Sequence, residues 1–191
     1  MDRLREAPYT EDSLRRSGFN ISRISSMNRL FGSRSSVKSG LVVIPECERG
    51  IPSTGFSVRR GVKSFVRNGG HLVVLGSNAK NGRRWLDRIY GWRTKTSVSS
   101  YSRGGWRRAW NASSDLPRSV SYCDHVEATQ MAKMPPGAVS YYSSGGYSGL
   151  WSRDIGRGKV TFIAYDWYQG STCSGGRFLD VPKRVYQRDT K

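Results

Sequence analysis

Two short apolar runs, GLVVIPE at 40–46 and HLVVLG at 71–76, constrain the fold more than any other feature of this chain. Both are nearly continuous in valine, leucine and isoleucine and have no polar face. A strand of this kind must be covered on both sides, which is the situation of a parallel sheet flanked by helices. Between the runs, SVRRGVKSFVRNGG (57–70) sets Val58, Val62, Phe65 and Val66 at helical spacing and stops on two glycines. After the second run, NGRRWLDRIYGW (81–92) puts Trp85, Leu86, Ile89 and Tyr90 on one helical face ahead of Gly91. The order strand, loop, helix, strand, helix predicts an α/β domain with parallel strands and right-handed crossovers.

The flanking segments follow other patterns. TEDSLRRS (10–17) predicts a short helix capped by Thr10 and stopped by Gly18. FNISRIS (19–25) alternates as a strand does, and a turn of helix is expected around Met27–Phe31. Residues 93–118 are rich in Ser, Arg and Trp and read as a long irregular loop. AVSYYSS (138–144), GLWSRDIG (149–156) and KVTFIAYD (159–166) read as an antiparallel meander turned by Gly145-Gly146 and Gly156-Arg157-Gly158. Residues 1–170 then form one domain, and 171–191 a tail.

The formal net charge is +18. An excess of that size attracts polyanions, so anionic glycans, nucleic acid and acidic proteins are the partner classes to consider. The basic residues are scattered along the chain, which suits a solvated surface as well as a binding face. The sharpest basic-aromatic stretch is YSRGGWRRAW (101–110). Tyr101, Trp106 and Trp110 could stack bases or sugars there while Arg103, Arg107 and Arg108 meet phosphate, sulfate or carboxylate. The competing reading is a loop whose tryptophans pack onto the sheet.

No apolar stretch approaches the ~18 residues that cross a membrane, and MDRLREAPYTEDSLRR has no signal-peptide core. Compartment stays open on these grounds. Cys47, Cys123 and Cys173 show no C-x-x-C spacing, so neither a zinc site nor a disulfide framework is indicated. Cys47, between Glu46 and Glu48, is expected to be a partly buried thiol dulled by its acidic neighbours. Two histidines, His71 and His125, are too few for a metal site, and no cofactor is expected. Gly156-Arg157-Gly158 belongs to a hairpin, not to a strand–Gly–helix phosphate loop.

Three segments, LVVIPECERG (41–50), SVRRGVKSFVRNGGHLVVLGSN (57–78) and MPPGAVSYYSSGGYSGLWSRDIGRGKVTFIAYDWYQ (134–169), occur in an order and spacing that resembles the class I glutamine-amidotransferase-like superfamily, over roughly residues 9–170. The likeness is strongest to its branches that look non-catalytic. The resemblance implies a flavodoxin-like fold with a late antiparallel extension. It matches residues 9–18 to the helix after the first strand and 19–25 to the second strand. The first strand, central in that fold, then falls before Met1. A rearranged sheet edge or an incomplete gene product is expected; in the second case a cell-surface parent with an upstream signal sequence is one option.

Active members of that superfamily carry a cysteine on the elbow after a buried strand and a His-x-Glu pair after a late strand. A base must make the thiolate, and backbone N–H groups hold the oxyanion. The matching elbow here is Gly76-Ser77-Asn78-Ala79, and the matching late strand ends Ala164-Tyr165-Asp166-Trp167, without histidine. His125-Val126-Glu127 spells the pair but sits ahead of the Pro135-Pro136-Gly137 turn, the wrong place for it. A serine nucleophile at Ser77 lacks the G-x-S-x-G setting. His71 is at the far end of Ser77's own strand, roughly 17–20 Å away, so only His125 could act as its base.

Ligands of such folds bind outside the carboxyl ends of the strands, where Glu46, Ser77, Asn78 and Asp166 are expected. The leading reading is a catalytically inactive amidotransferase-like domain that binds a carbohydrate or other polar or anionic ligand, or serves a structural role. The alternatives are a serine hydrolase using Ser77 and a polyanion-binding module acting through 101–110.

Overall fold

A computed structural model describes residues 7–32, 37, 39–45, 47, 51, 55–76, 81–99, 105–120, 126–164 and 184–185. It contains four α-helices among those residues: α1 (Ala7–Arg16), α2 (Met27–Phe31), α3 (Phe56–Arg67) and α4 (Asn81–Tyr90). Nine strands join one open, mixed sheet: β1 (Gly40–Ile44), β2 (Gly70–Leu75), β3 (Thr96–Ser99), β4 (Trp106–Arg108), β5 (Ser119–Val120), β6 (Val126–Gln130), β7 (Val139–Ser144), β8 (Tyr147–Ile155) and β9 (Gly158–Ile163).

The two apolar runs form β1 and β2, paired in parallel from Gly40 against Gly70 to Ile44 against Val74. β9 joins the other edge of β2, also in parallel. From β9 the sheet continues antiparallel through β8, β7, β4 and β5, while β6 leaves the main path to pair with β8 and β3. The expected meander is therefore present as β7-β8-β9, and its last strand closes onto the parallel part. Gly145, Gly146 and Gly156 turn it with positive φ, conformations that suit glycine.

The helices form for the reasons their spacing suggests. Val58, Val62, Phe65 and Val66 of α3 are all buried, and so are Trp85, Leu86 and Ile89 of α4. In α3, a Cβ at Gly61 would collide with the Phe31 carbonyl, so this glycine lets α2 press directly on α3. The core runs from Val73, Val74 and Leu75 of β2 through Phe162 of β9 to Trp151 of β8.

Three expectations need correction. Thr10 lies inside α1 and is buried, so it is not the cap; the helix is underway by Ala7. The 93–118 region is not wholly irregular, since it holds β3 and β4, each recruited by an antiparallel neighbour. FNISRIS (19–25) is neither helix nor strand. Its alternation suits a strand, but a strand needs an edge to pair with. Between this segment and β1 lies a cavity instead. Among the described residues β1 pairs with β2 alone.

Candidate functional site

The parallel strands end together. β1 runs into Pro45 and Cys47, β2 into Gly76, and β9 into Ala164. The Gly76 N–H donates to the Ile163 carbonyl (2.7 Å), which holds the ends of β2 and β9 side by side, and the Ala164 N–H donates to the Gly149 carbonyl of β8 (2.9 Å). Asn81, the first residue of α4, donates from Nδ2 to the Cys47 carbonyl (2.8 Å) and so ties the helix start to the end of β1. Cys47 is buried, more than the sequence suggests, with its Sγ donating to the Pro45 carbonyl (3.3 Å).

The close approach of α4 to the end of β2 depends on two missing side chains. A Cβ at Gly76 would stand 2.9 Å from the Phe162 ring and 3.2 Å from Ala164 Cα. A Cβ at Gly82 would stand 2.7 Å from the Leu75 carbonyl. With both absent, the first turn of α4 sits directly on the end of β2. That turn contains no acidic residue, so no carboxylate of its own offsets its partial positive charge. Glu46, Ser77, Asn78 and Asp166 lie outside the described residues, as do His125, Tyr101 and Arg103.

Beside the elbow is a polar cluster that the sequence patterns do not reveal. Arg83 of α4 donates from Nε to Glu127 Oε1 of β6 (3.4 Å) and from Nη1 to Asp87 Oδ2 (2.9 Å) and the Thr94 carbonyl (2.7 Å). Thr94 returns a bond from Oγ1 to Asp87 Oδ1 (2.8 Å). The Glu127 side chain is fully buried, and that of Arg83 is 13% exposed. Burial pushes the Asp87 carboxyl above its ordinary range, and the Thr94 hydrogen bonds and the Arg83 charge work against that shift. The i, i+4 spacing of Arg83 and Asp87 was legible in the sequence. Nothing in the sequence points to Glu127, 44 residues further on, as their partner. The glutamate of the only H-x-E triplet is thus engaged in pinning α4 to β6.

The structure divides the basic-aromatic stretch. Trp106 is 4% exposed and lies over Gly149, where a Cβ would come within 3.0 Å of its ring. It is a core residue and presents no face for stacking. Arg108 braces its own loop, donating from Nη1 to the carbonyls of Ser114 (2.7 Å) and Leu116 (2.5 Å). Only Arg107 and Trp110 of the described members face solvent, and Trp110 is 97% exposed. A second aromatic row lies elsewhere in the fold. Tyr90 stacks on Trp92 at 4.4 Å, Trp92 meets Trp151 edge-on at 5.9 Å, and the Arg153 guanidinium lies 5.2 Å from the Trp92 ring centre. Among the described residues no group of three His, Cys, Asp or Glu side chains is placed to hold a metal ion. No described helix is long and apolar enough to cross a membrane.

No family model matches this chain, and no curated protein does. Solved structures do share the fold. A cytoplasmic protein of Salmonella typhimurium LT2 superposes with a TM-score of 0.67 at 11% identity, over 95% of this chain and 86% of that one. A protein described as ThuA-like from Bacteroides uniformis ATCC 8492 gives a TM-score of 0.56 at 10% identity, over 94% of this chain and 81% of that one. ThuA-like proteins belong to the class I glutamine-amidotransferase-like superfamily, the same one the sequence resembles. An exo-β-1,4-mannosidase from Opitutaceae bacterium strain TAV5 gives 0.52 at 18% identity; it matches 99% of this chain, which spans 30% of the mannosidase. At these identities the likeness is one of fold.

Proposed function

We propose that this chain is a catalytically silent, flavodoxin-like module of the amidotransferase-like type that binds a carbohydrate or another polar or anionic ligand at the carboxyl ends of its parallel strands. One observation carries this reading, a frame present without its chemistry. Gly76 and Gly82 let α4 pack closely on the end of β2, which supports this reading. The elbow residues are Ser77 and Asn78 where the superfamily's enzymes use cysteine, and the late strand ends without histidine. The one H-x-E glutamate is held on Arg83. A carboxylate committed to a buried guanidinium is poorly placed to orient a catalytic imidazole.

The ligand class rests on position and charge. Glu46, Ser77, Asn78 and Asp166 supply short polar side chains at the edge where such folds take ligands. The recurrence of this fold as under a third of a mannosidase chain supports a modular use near sugars. A second reading, polyanion binding, is favoured by the charge of +18 and by the exposed Trp110 and Arg107. With Trp106 in the core, that reading reduces to simple charge attraction and one exposed ring.

Titration with neutral and uronate-containing oligosaccharides is the test, paired with an ammonia assay on glutamine. Saturable binding that Glu46→Gln or Asp166→Asn removes, with no ammonia release, is the expected result. Ammonia release that Ser77→Ala abolishes would overturn it.

A further inference from the structure

The positive charge gathers on α3. From Arg49 to Leu86 the chain has no acidic residue, and α3 carries Arg59, Arg60, Lys63 and Arg67 within that stretch. Arg59, Lys63 and Arg67 stand one helical turn apart, a spacing at which like charges repel. The helix offers no carboxylate to offset them. Its apolar side is buried, so these cations lie toward solvent. Arg60 is exposed and makes no ion pair with a described residue.

Arg60 also lines a cavity of about 640 Å³ between α2 and α3, a volume usual for small-molecule sites. The floor of this cavity is fixed. The end of α2 presses on α3 where Gly61 has no side chain, and the rings of Phe31 and Phe65 meet at 5.6 Å. The wall on α3 is mostly polar. Phe56, Arg60, Ser64 and Asn68 recur at every fourth residue, a row about 18 Å long, with Ser57 beside it. Asn68 Nδ2 donates to Ser64 Oγ (3.3 Å), which leaves the Ser64 proton and Asn68 Oδ1 for a ligand. No carboxylate lines the cavity. Phe56 is 81% exposed and offers a ring face at one end of the row. That end is the one nearer the carboxyl ends of the strands, because α3 runs back from the end of β1 to the start of β2.

We propose that the cavity extends the strand-end site and makes its ligand an acidic oligosaccharide: a sugar ring lies on Phe56, hydroxyls meet Ser57, Ser64 and Asn68, and a uronate carboxylate sits on Arg60. This inference rests on the strand-end reading above, and it assigns the two ends of the ligand. The neutral end meets Glu46 and Asp166, which can accept from hydroxyls but would repel a carboxylate. The acidic end meets the cation. The lining also selects among anions. It holds one cation among three neutral hydrogen-bonding side chains, which suits a chain with many hydroxyls per charge. A nucleic-acid strand carries a phosphate at every nucleotide and would need a cation at each step. A fatty acid would leave Ser57, Ser64 and Asn68 unpaired against hydrocarbon. Arg59, Lys63 and Arg67, outside the cavity, raise the local concentration of any anion.

The test is calorimetric titration of the whole chain, at physiological salt, with a neutral tetrasaccharide and with the same chain carrying one terminal uronate. The expected result is about tenfold or more tighter binding of the acidic sugar, the worth of one hydrogen bond to a charged group. Arg60→Gln should abolish that preference and leave the neutral sugar unaffected. Phe56→Ala should weaken both sugars about threefold or more. Both side chains are exposed, so the variants should keep the wild-type melting temperature. Arg59→Gln, one residue away but outside the cavity, should keep the preference. Equal binding of the two sugars, lost in Asp166→Asn, would overturn this extension and leave the strand-end reading standing. A preference lost as fully in Arg59→Gln as in Arg60→Gln would show charge attraction only and overturn the extension. So would tighter binding of decanoate or a short oligonucleotide through Arg60. Binding of neither sugar would overturn both readings, and acidic binding undiminished in Asp166→Asn would break the link between the two sites.

Discussion

Replacing Arg83 with methionine isolates the buried pair with Glu127. The guanidinium is 13% exposed and the Glu127 side chain fully buried, so little water is at hand to take over the lost contact. Removing one partner of a buried ion pair costs about 3–5 kcal/mol, because the other charge stays behind in a poor solvent. The 3.4 Å separation and the partial exposure of Arg83 place this case at the low end, about 3 kcal/mol. For a chain of this size that lowers the melting temperature by about 6–12 °C. Glu127→Gln removes the buried charge and keeps the shape, and is expected to cost about 1 kcal/mol. The double variant should then be more stable than Arg83→Met alone, with a coupling of about 2 kcal/mol in a double-mutant cycle read by urea unfolding. If Arg83→Met costs under about 1 kcal/mol, or the two changes simply add, the cluster does not pin α4 to β6 by charge.

Other consequences can be checked in the same assays. Tyr142 donates to the Pro117 carbonyl (2.9 Å), and burial raises its hydroxyl to about 12, against the pull of Arg108 and Arg184. With the folded value above the unfolded one, this contribution to stability is complete below pH 10 and is lost as pH rises from 10 to 12. Tyr142→Phe should remove that part of the alkaline slope and cost about 1 kcal/mol at neutral pH. Part of the slope should remain, because burial raises Tyr90 as well. Gly82→Ala reverses the usual helix preference: instead of gaining about 1 kcal/mol it should lose about 1–3 kcal/mol, since the new Cβ meets the Leu75 carbonyl. Trp106→Ala is expected to cost about 3–5 kcal/mol, whereas Trp110→Ala should stay within about 0.5 kcal/mol in urea unfolding. Any polyanion binding that follows Trp106 rather than Trp110 would then reflect folding and not contact.

The sequence was most informative where one local rule decides the outcome. The runs at 40–46 and 71–76 both become strands, though only the second is buried throughout, since in β1 burial is complete at Ile44 alone; the spacing of Val58, Val62, Phe65 and Val66 admits only a helix with one apolar face. Pairing across long separations was less legible. Whether FNISRIS becomes a strand depends on an edge beside it, and among the described residues the edge of β1 lies across a cavity. Short strands such as β4 exist because β5 and β7 hold them, which three residues cannot announce. Likewise, WRRAW reads as a stacking motif in isolation, yet the alternation of a strand sends Trp106 inward and Arg107 outward. The site residues Glu46, Ser77, Asn78 and Asp166 came from the resemblance and from the rule about strand ends, so they remain the part of the proposal that experiment must carry.

Covalent labelling of Ser77 tests catalytic silence most directly. Intact-mass analysis after incubation with a fluorophosphonate should show no adduct on the folded chain, because neither His71 nor a committed Glu127 can help activate that hydroxyl. A stoichiometric adduct that maps to Ser77, and disappears in both Ser77→Ala and His125→Ala, would contradict the proposal and make this chain a serine hydrolase.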